Sequence, residues 1–111
     1  MARTTFSGPV VSTNGFIAGS GATVSKILTN TASLNFPSIS AASQADLTIT
    51  VTGAAVGDEV IMALPAAPAA GLVFNAFVSA TNTVTIRASN ITGSPVDAAA
   101  ATYGVIVIAA A

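Results

Sequence analysis

Apolar and polar residues alternate along the middle of the chain with the period of two that a half-buried β-strand requires. Leucine, isoleucine and valine alternate with threonine over residues 45–52, and the alternation resumes over residues 59–64. The residues between them are Gly, Ala, Val and Asp, which suit a turn. The pattern predicts two neighbouring strands of an antiparallel sheet.

Further strand patterns lie on both sides of this pair, at residues 33–36, 72–80, 83–88 and 102–108, and residues 24–28 form either a first strand or a linker. Residues 72–80 are apolar on both faces, which predicts a central strand or one that gives a side to a partner. Residues 102–108 are also two-sided, which places them inside a sheet or at a subunit contact. No segment has helical periodicity. We therefore predict an all-β fold, a single antiparallel β-sandwich of the jelly-roll-like kind over residues 32–111.

Residues 1–31 differ from this domain because neither a 2-residue nor a 3.6-residue period is sustained. Isolated apolar residues alternate with turn formers, and Asn14-Gly15 is a candidate for a tight hairpin turn. The segment is either a loosely packed stretch laid over the domain or an extended N-terminal arm that orders on a neighbouring subunit. In the second case its contacts are made by Phe6, Pro9, Val10, Val11, Phe16 and Ile17.

The composition narrows the choice of partners. Apolar residues make up 52% of the 111 residues and charged residues only 6%, against about 25% charged in an ordinary soluble domain. Part of the apolar excess is expected to lie against another protein. With a net charge of −1 and three scattered cations, the chain has no basic patch, so nucleic acid is not an expected partner.

Membrane insertion and secretion are not expected either. The uncharged run over residues 60–86 is long enough for a membrane span, but prolines, a glycine and asparagines divide it into short strand-like pieces. The N-terminus has Ser7, Gly8 and Pro9 where a secretory signal would have its apolar core. We therefore expect synthesis in the cytoplasm.

The sequence has few of the residue types that support catalysis. Histidine and cysteine are absent, which excludes a Ser-His-Asp triad, histidine or thiolate metal ligands and disulfides. Asp58 and Glu59 are adjacent, and adjacent strand residues point to opposite faces. Asn90-Ile91-Thr92 fits a glycosylation sequon but is more typical of a turn here. We predict no enzyme activity, no catalytic residues, no metal site and no cofactor.

The order of these segments resembles a known class of proteins. The start, MARTTFSGPVVSTNGFI, is similar to that of small virion structural proteins of tailed bacteriophages, especially of marine and cyanobacterial hosts. The remainder resembles a β-sandwich module of phage head-decoration, head-fibre and tail-fibre proteins. The similar stretches are Ala-Asp-Leu-Thr at 45–48, Thr-Gly-Ala-Ala-Val-Gly-Asp at 52–58, Ala-Phe-Val-Ser at 76–79 and Thr-Val-Thr-Ile-Arg at 83–87.

This resemblance implies a role on the virion. A receptor-binding fibre usually carries a shaft and a tip, for which the chain has little room, whereas an arm and one sandwich suit a capsid decoration (cement) protein. The expected partners are then the major capsid protein and copies of the chain itself in a homotrimer, on the outer surface of the capsid. A head-fibre or tail-fibre subunit remains the alternative.

Overall fold

The structure is a computed structural model that describes residues 3–110. The strands are β1 Phe16–Ile17, β2 Thr23–Leu34, β3 Gln44–Thr50, β4 Glu59–Ala63, β5 Leu72–Ala80, β6 Thr83–Asn90 and β7 Ala101–Ala110. Four of them form one antiparallel sheet in the order β1-β2-β7-β4, and the others form a second sheet in the order β3-β6-β5. The described residues contain no helix. The predicted all-β fold with antiparallel sheets is confirmed.

The four-stranded sheet is organised around β7, which pairs with β2 on one side and β4 on the other. Alternate residues Tyr103, Val105 and Val107 point into the sandwich and are buried. The intervening residues Gly104, Ile106 and Ile108 are also apolar, although Ile106 on the outward side is 40% exposed, and β7 has a paired strand on each side. The prediction that residues 102–108 lie inside a sheet is therefore confirmed.

In the three-stranded sheet, β6 is the central strand and its inward residues Val84, Ile86 and Ala88 are fully buried. The two-sided apolar strand β5 lies at the edge of this sheet. A central position for residues 72–80 is thus wrong. The side that suggested a second buried face is partly open, because Val73 is 51% exposed while Phe77 is covered locally by the guanidinium of Arg87, 5.1 Å from the ring centre.

The prediction that residues 45–52 and 59–64 form neighbouring strands is also wrong. They belong to β3 and β4, which lie in different sheets. The connection passes from one sheet to the other with Val51 and Ala54 buried on the way. Backbone hydrogen bonds hold it to the β5–β6 turn, since Val51 N–H donates to Asn82 O and Asn82 N–H donates to Ala54 O, both at 2.9 Å.

Strand β2 is longer than the sequence pattern suggests. It starts at Thr23, so that the predicted boundary between arm and domain, at 31/32, falls inside a strand that pairs with β7 along its length. Of the predicted strand 33–36, only Ser33 and Leu34 belong to β2, and Phe36 enters the core from an irregular segment. Inward-facing Asn30 interrupts the alternation, and its amide nitrogen instead donates to Thr50 O in the opposite sheet at 2.6 Å.

Three aromatic side chains join the two sheets at one end of the core. Phe36 meets Phe74 and Tyr103 edge-on, with ring centres 6.0 and 5.7 Å apart, and Phe74 and Tyr103 are 5.6 Å apart. Such edge-to-face pairs contribute about 0.5–1.5 kcal/mol each beyond the area they bury. The core therefore closes with residues from β5, β7 and the segment after β2.

Candidate interaction surfaces

The outward side of the four-stranded sheet carries a group of apolar side chains although it faces solvent. The strand register places Ile106 of β7 between Thr29 of β2 and Ile61 of β4, and places Ile108 between Ile27 and Glu59. One step further along the strands, Gly104 lies between Thr31 and Ala63. We call the apolar members of this surface the aliphatic face, which comprises Ile27, Ile61, Ala63, Ile106 and Ile108.

The aliphatic face is built from side chains that β-strands favour but that the fold leaves uncovered. Ile27 is 57% exposed, Ile61 55% and Ile106 40%. Completing the burial of a half-exposed isoleucine contributes about 1 kcal/mol. Contiguous apolar surface of this kind usually marks a protein contact, whereas single exposed apolar residues do not.

The arm supplies a second apolar surface. Phe6 is 66% exposed and Val11 90% exposed, and Pro9 and Val10 are exposed as well. These four predicted contact residues do not pack into the sandwich.

The other two predicted contact residues, Phe16 and Ile17, are placed differently. They form β1 and pair with Val24 and Thr23 at the edge of the four-stranded sheet, while their side chains remain more than half exposed. A shallow cleft of about 200 Å³ separates this point from the arm and has Val10, Phe16 and Ile27 among its walls. The cleft adjoins the aliphatic face through Ile27.

The Asn14-Gly15 pair forms a turn but does not connect two paired strands, so the predicted hairpin at this position is wrong. The turn that joins β1 to β2 lies at residues 18–22. Gly15 has a φ of 84°, and a Cβ there would lie 2.0 Å from Val24 O. The glycine is thus required because the arm passes close to the backbone of β2.

The outward side of the three-stranded sheet is mostly polar, although Val73 on it is 51% exposed. We call this side the polar face, which comprises Gln44, Asp46, Thr48, Val73, Asn75, Phe77, Thr85, Arg87 and Ser89. Arg87 donates two hydrogen bonds to Asp46, Nε to Oδ1 at 2.8 Å and Nη2 to Oδ2 at 2.9 Å. This pairing lowers the pKa of Asp46 and raises that of Arg87. Thr85 Oγ1 donates to Ser79 Oγ at 2.7 Å. The ion pair of this face and the buried Thr85 hydroxyl are therefore satisfied by neighbouring side chains.

The residues that the sequence suggested for other chemistry have structural roles. Asp58 Oδ2 accepts a hydrogen bond from Ala55 N–H at 3.0 Å and closes the turn before β4. Asn90 is only 2% exposed, and its amide nitrogen donates to Ile39 O and Ser94 O. Thr92 N–H and Oγ1 both donate to Asn90 Oδ1. The sequon asparagine thus holds a loop in place and is not presented as a glycan acceptor.

A cleft with a volume of about 320 Å³ lies between the Pro65–Ala69 loop and the segment before β7. Its walls are alanine and proline, with Asp97 and the buried ring of Tyr103 as the polar contributions. Burial raises the pKa of the Tyr103 hydroxyl, which disfavours its anionic form. No group of three acidic residues that would suit a metal ion is found within residues 3–110.

Sequence reasoning missed the aliphatic face. Ile27 and Ile61 are separated by 34 positions, and only the shared pairing of β2 and β4 with β7 brings them beside Ile106. The available signal was the two-sided apolar pattern of β7, whose outward residues needed a neighbour of matching character.

Comparison with protein-family models, curated proteins and solved structures gave no match to the chain. Within the described residues there is no helix of the length and hydrophobicity that a membrane crossing requires.

Proposed function

We propose that this protein is a structural component of a phage virion that decorates the outer surface of the capsid. The resemblance of its sequence to phage head-decoration proteins supports the virion assignment. The aliphatic face is the observation that supports assembly as the mode of action, because a cluster of exposed isoleucines on one side of a sheet usually marks a protein contact.

The mechanism follows from the energetics of binding. A specific interface buries about 1,600 Å² in total, and copies that contact each other on the shell gain further affinity because each holds its neighbour at high local concentration. A protein that binds the assembled shell and not its separated subunits stabilises the shell by mass action. The decoration protein would thus strengthen the capsid without any chemical step.

Attachment of this kind should be nearly independent of salt. Both the aliphatic face and the arm rely on apolar side chains, and salt screens charge interactions without weakening apolar ones. We expect the protein to remain on purified particles between 50 mM and 1 M NaCl, within about twofold. Gel analysis of pelleted particles after each wash measures this, and release of the protein at high salt would contradict the proposal.

The location of the protein on the particle tests the proposal most directly. We expect immunogold label, or density in a particle reconstruction, at regular positions on the outside of the head. Label confined to the tail or to head fibres would replace decoration with the fibre alternative. Absence of the protein from purified particles would refute a virion role altogether.

A variant of the aliphatic face then tests the mode of attachment. The change Ile106→Glu should remove the protein from particles, because it places a charge in the middle of the contact surface. The matched control is Thr48→Glu, which adds the same charge to the polar face. We expect the Thr48→Glu variant to remain bound, and equal loss of both variants would contradict a role of the aliphatic face in assembly on the particle.

A further inference from the structure

We infer that the arm of one copy of this protein docks on the aliphatic face of a second copy. The inference deepens the proposed function, since it assigns a partner to each of the two apolar surfaces, and it rests on the self-association that the proposal assumes. The arm is represented by residues 3–15 and its anchors are Phe6, Val10 and Val11.

The accessible area of the chain is larger than that of a compact protein of its mass, as expected when part of the surface is covered by a partner. The chain exposes 7020 Å², whereas a compact protein of 10.8 kDa exposes about 5,500 Å². The excess of about 1,500 Å² on one chain is about twice the roughly 800 Å² that each partner contributes to a standard protein–protein interface, and a chain that gives its arm to one neighbour and receives the arm of another has two such contacts. The radius of gyration, 17.5 Å, likewise exceeds the value of about 13 Å for a compact domain of this length.

The arm matches the aliphatic face in length. From Phe6 to Val11 an extended chain spans about 17 Å. Along β7 from Gly104 to Ile108 the distance is about 13 Å, and the three strands β2, β7 and β4 are about 10 Å apart from first to last. An arm that crosses the face diagonally would therefore cover it from one corner to the other.

The single charge on the arm is opposite in sign to the charge that borders the aliphatic face. The arm has one charged side chain among residues 3–15, Arg3, and the aliphatic face is bordered by Glu59 at the end of the Ile27–Ile108 row. The acid on the polar face is already engaged, because Asp46 forms an ion pair with Arg87. Arg3 of a docked arm would therefore find its complement beside the aliphatic face.

A second copy explains both surfaces better than contact between two aliphatic faces. Face-to-face packing would cover the isoleucines but leave Phe6, Val10 and Val11 in water. Folding of the arm onto its own sheet is a separate possibility, but the described chain extends 58 Å along its longest axis, against 27 and 23 Å along the others, with Val11 90% exposed. Exchange of arms between copies covers all of these residues at once.

Disulfide trapping tests the inference cleanly because the chain has no cysteine of its own. Val11→Cys and Ile106→Cys are made as separate full-length variants, mixed and oxidised. We expect the mixed disulfide to be the main product. The matched control is Val11→Cys mixed with Asn75→Cys, whose cysteine lies on the polar face, and we expect at least about tenfold less mixed disulfide there.

Each alternative has its own outcome in this experiment. Predominance of the Ile106→Cys homodimer would replace arm exchange with face-to-face packing. An intrachain disulfide in the Val11→Cys/Ile106→Cys double variant, without mixed disulfide between the single variants, would show that the arm folds on its own sheet. Mixed disulfide no more abundant than in the control would overturn the inference.

A second measurement uses the full chain without cross-links. Phe6→Ser combined with Val11→Ser should weaken self-association at least about tenfold in sedimentation equilibrium, since two apolar anchors are lost. Val56→Ser, in an exposed loop, is the matched control and should leave self-association unchanged. Unchanged circular dichroism in all variants establishes that the sheets are intact, and unchanged association of the arm variant would contradict the inference.

These experiments separate the two proposals. If the purified protein exchanges arms but the protein is absent from purified phage particles, the virion role is refuted and the inference stands. Regular density on the capsid without mixed disulfide would do the reverse.

Discussion

The outward sides of the two sheets are built on the same backbone geometry and differ in how their side chains are satisfied. On the polar face, Asp46, Arg87 and Phe77 form a chain of contacts across three strands, with an ion pair at one end and a cation–π contact at the other. On the aliphatic face, Ile106 lies between Thr29 and Ile61 with more than a third of its side chain exposed.

The difference shows where the few charged residues and the many apolar residues of this protein lie. Charged residues are few, and two of them, Asp46 and Arg87, form an ion pair within the polar face. Apolar residues are abundant, and the surplus beyond the core is concentrated on one sheet and on the arm. A face whose charged groups pair with one another is suited to contact with water. A face that exposes apolar side chains is suited to contact with protein.

The largest expected effect comes from adding a charge to each face in turn. Ile106→Glu should weaken self-association by about 100-fold, because the carboxylate would have to be desolvated at the centre of the contact. Thr48→Glu should change it by less than about twofold, since the polar face stays in water. Sedimentation equilibrium measures both, and similar losses for the two variants would show that the faces do not differ in role.

A smaller effect separates the stability of the fold from assembly. In an Ile106→Glu background, which removes the contribution of association to stability, Phe77→Ala should lower the free energy of unfolding by about 1 kcal/mol, because it removes a cross-strand contact. Ile61→Ala in that background should lower it by no more than about 0.5 kcal/mol. Urea unfolding provides these values.

In the protein without Ile106→Glu, the same two substitutions should affect self-association in the opposite order. There Ile61→Ala is expected to weaken association by about tenfold, while Phe77→Ala leaves it within about twofold. A larger loss of association from Phe77→Ala than from Ile61→Ala would reverse the assignment of the faces.

The strands of this fold could be predicted wherever one of their faces alternates cleanly with the other. Residues 83–88 met that condition and lie within β6 in the structure. The beginning of β2 does not alternate cleanly, because Asn30 occupies an inward position and donates a hydrogen bond to the opposite sheet. The predicted boundary between arm and domain therefore lay too far along the chain.

The arrangement of the strands was harder to predict than their existence. A turn-like sequence between β3 and β4 suggested a hairpin, but the chain uses those residues to cross between sheets, with Val51 and Ala54 buried in the core. Alternation specifies which residues are apolar and not which neighbour covers them. The aliphatic face escaped prediction for the same reason, since it exists only through the pairing of three strands that are distant in sequence.

The smallest expected effect is a pH dependence that belongs to the polar face alone. The hydrogen bonds from Arg87 lower the pKa of Asp46 below its ordinary value of 3.8. A carboxyl whose pKa is lower in the folded state stabilises the fold above its unfolded pKa, and this contribution is lost as pH falls through the folded pKa. The free energy of unfolding should therefore decline slightly below about pH 4, and Asp46→Asn should reduce that decline. Isoleucines do not titrate, so Ile61→Ala should leave the slope unchanged. An equal slope in the parent protein and in Asp46→Asn, measured by urea unfolding across this range, would show that the ion pair contributes nothing to the stability of the polar face.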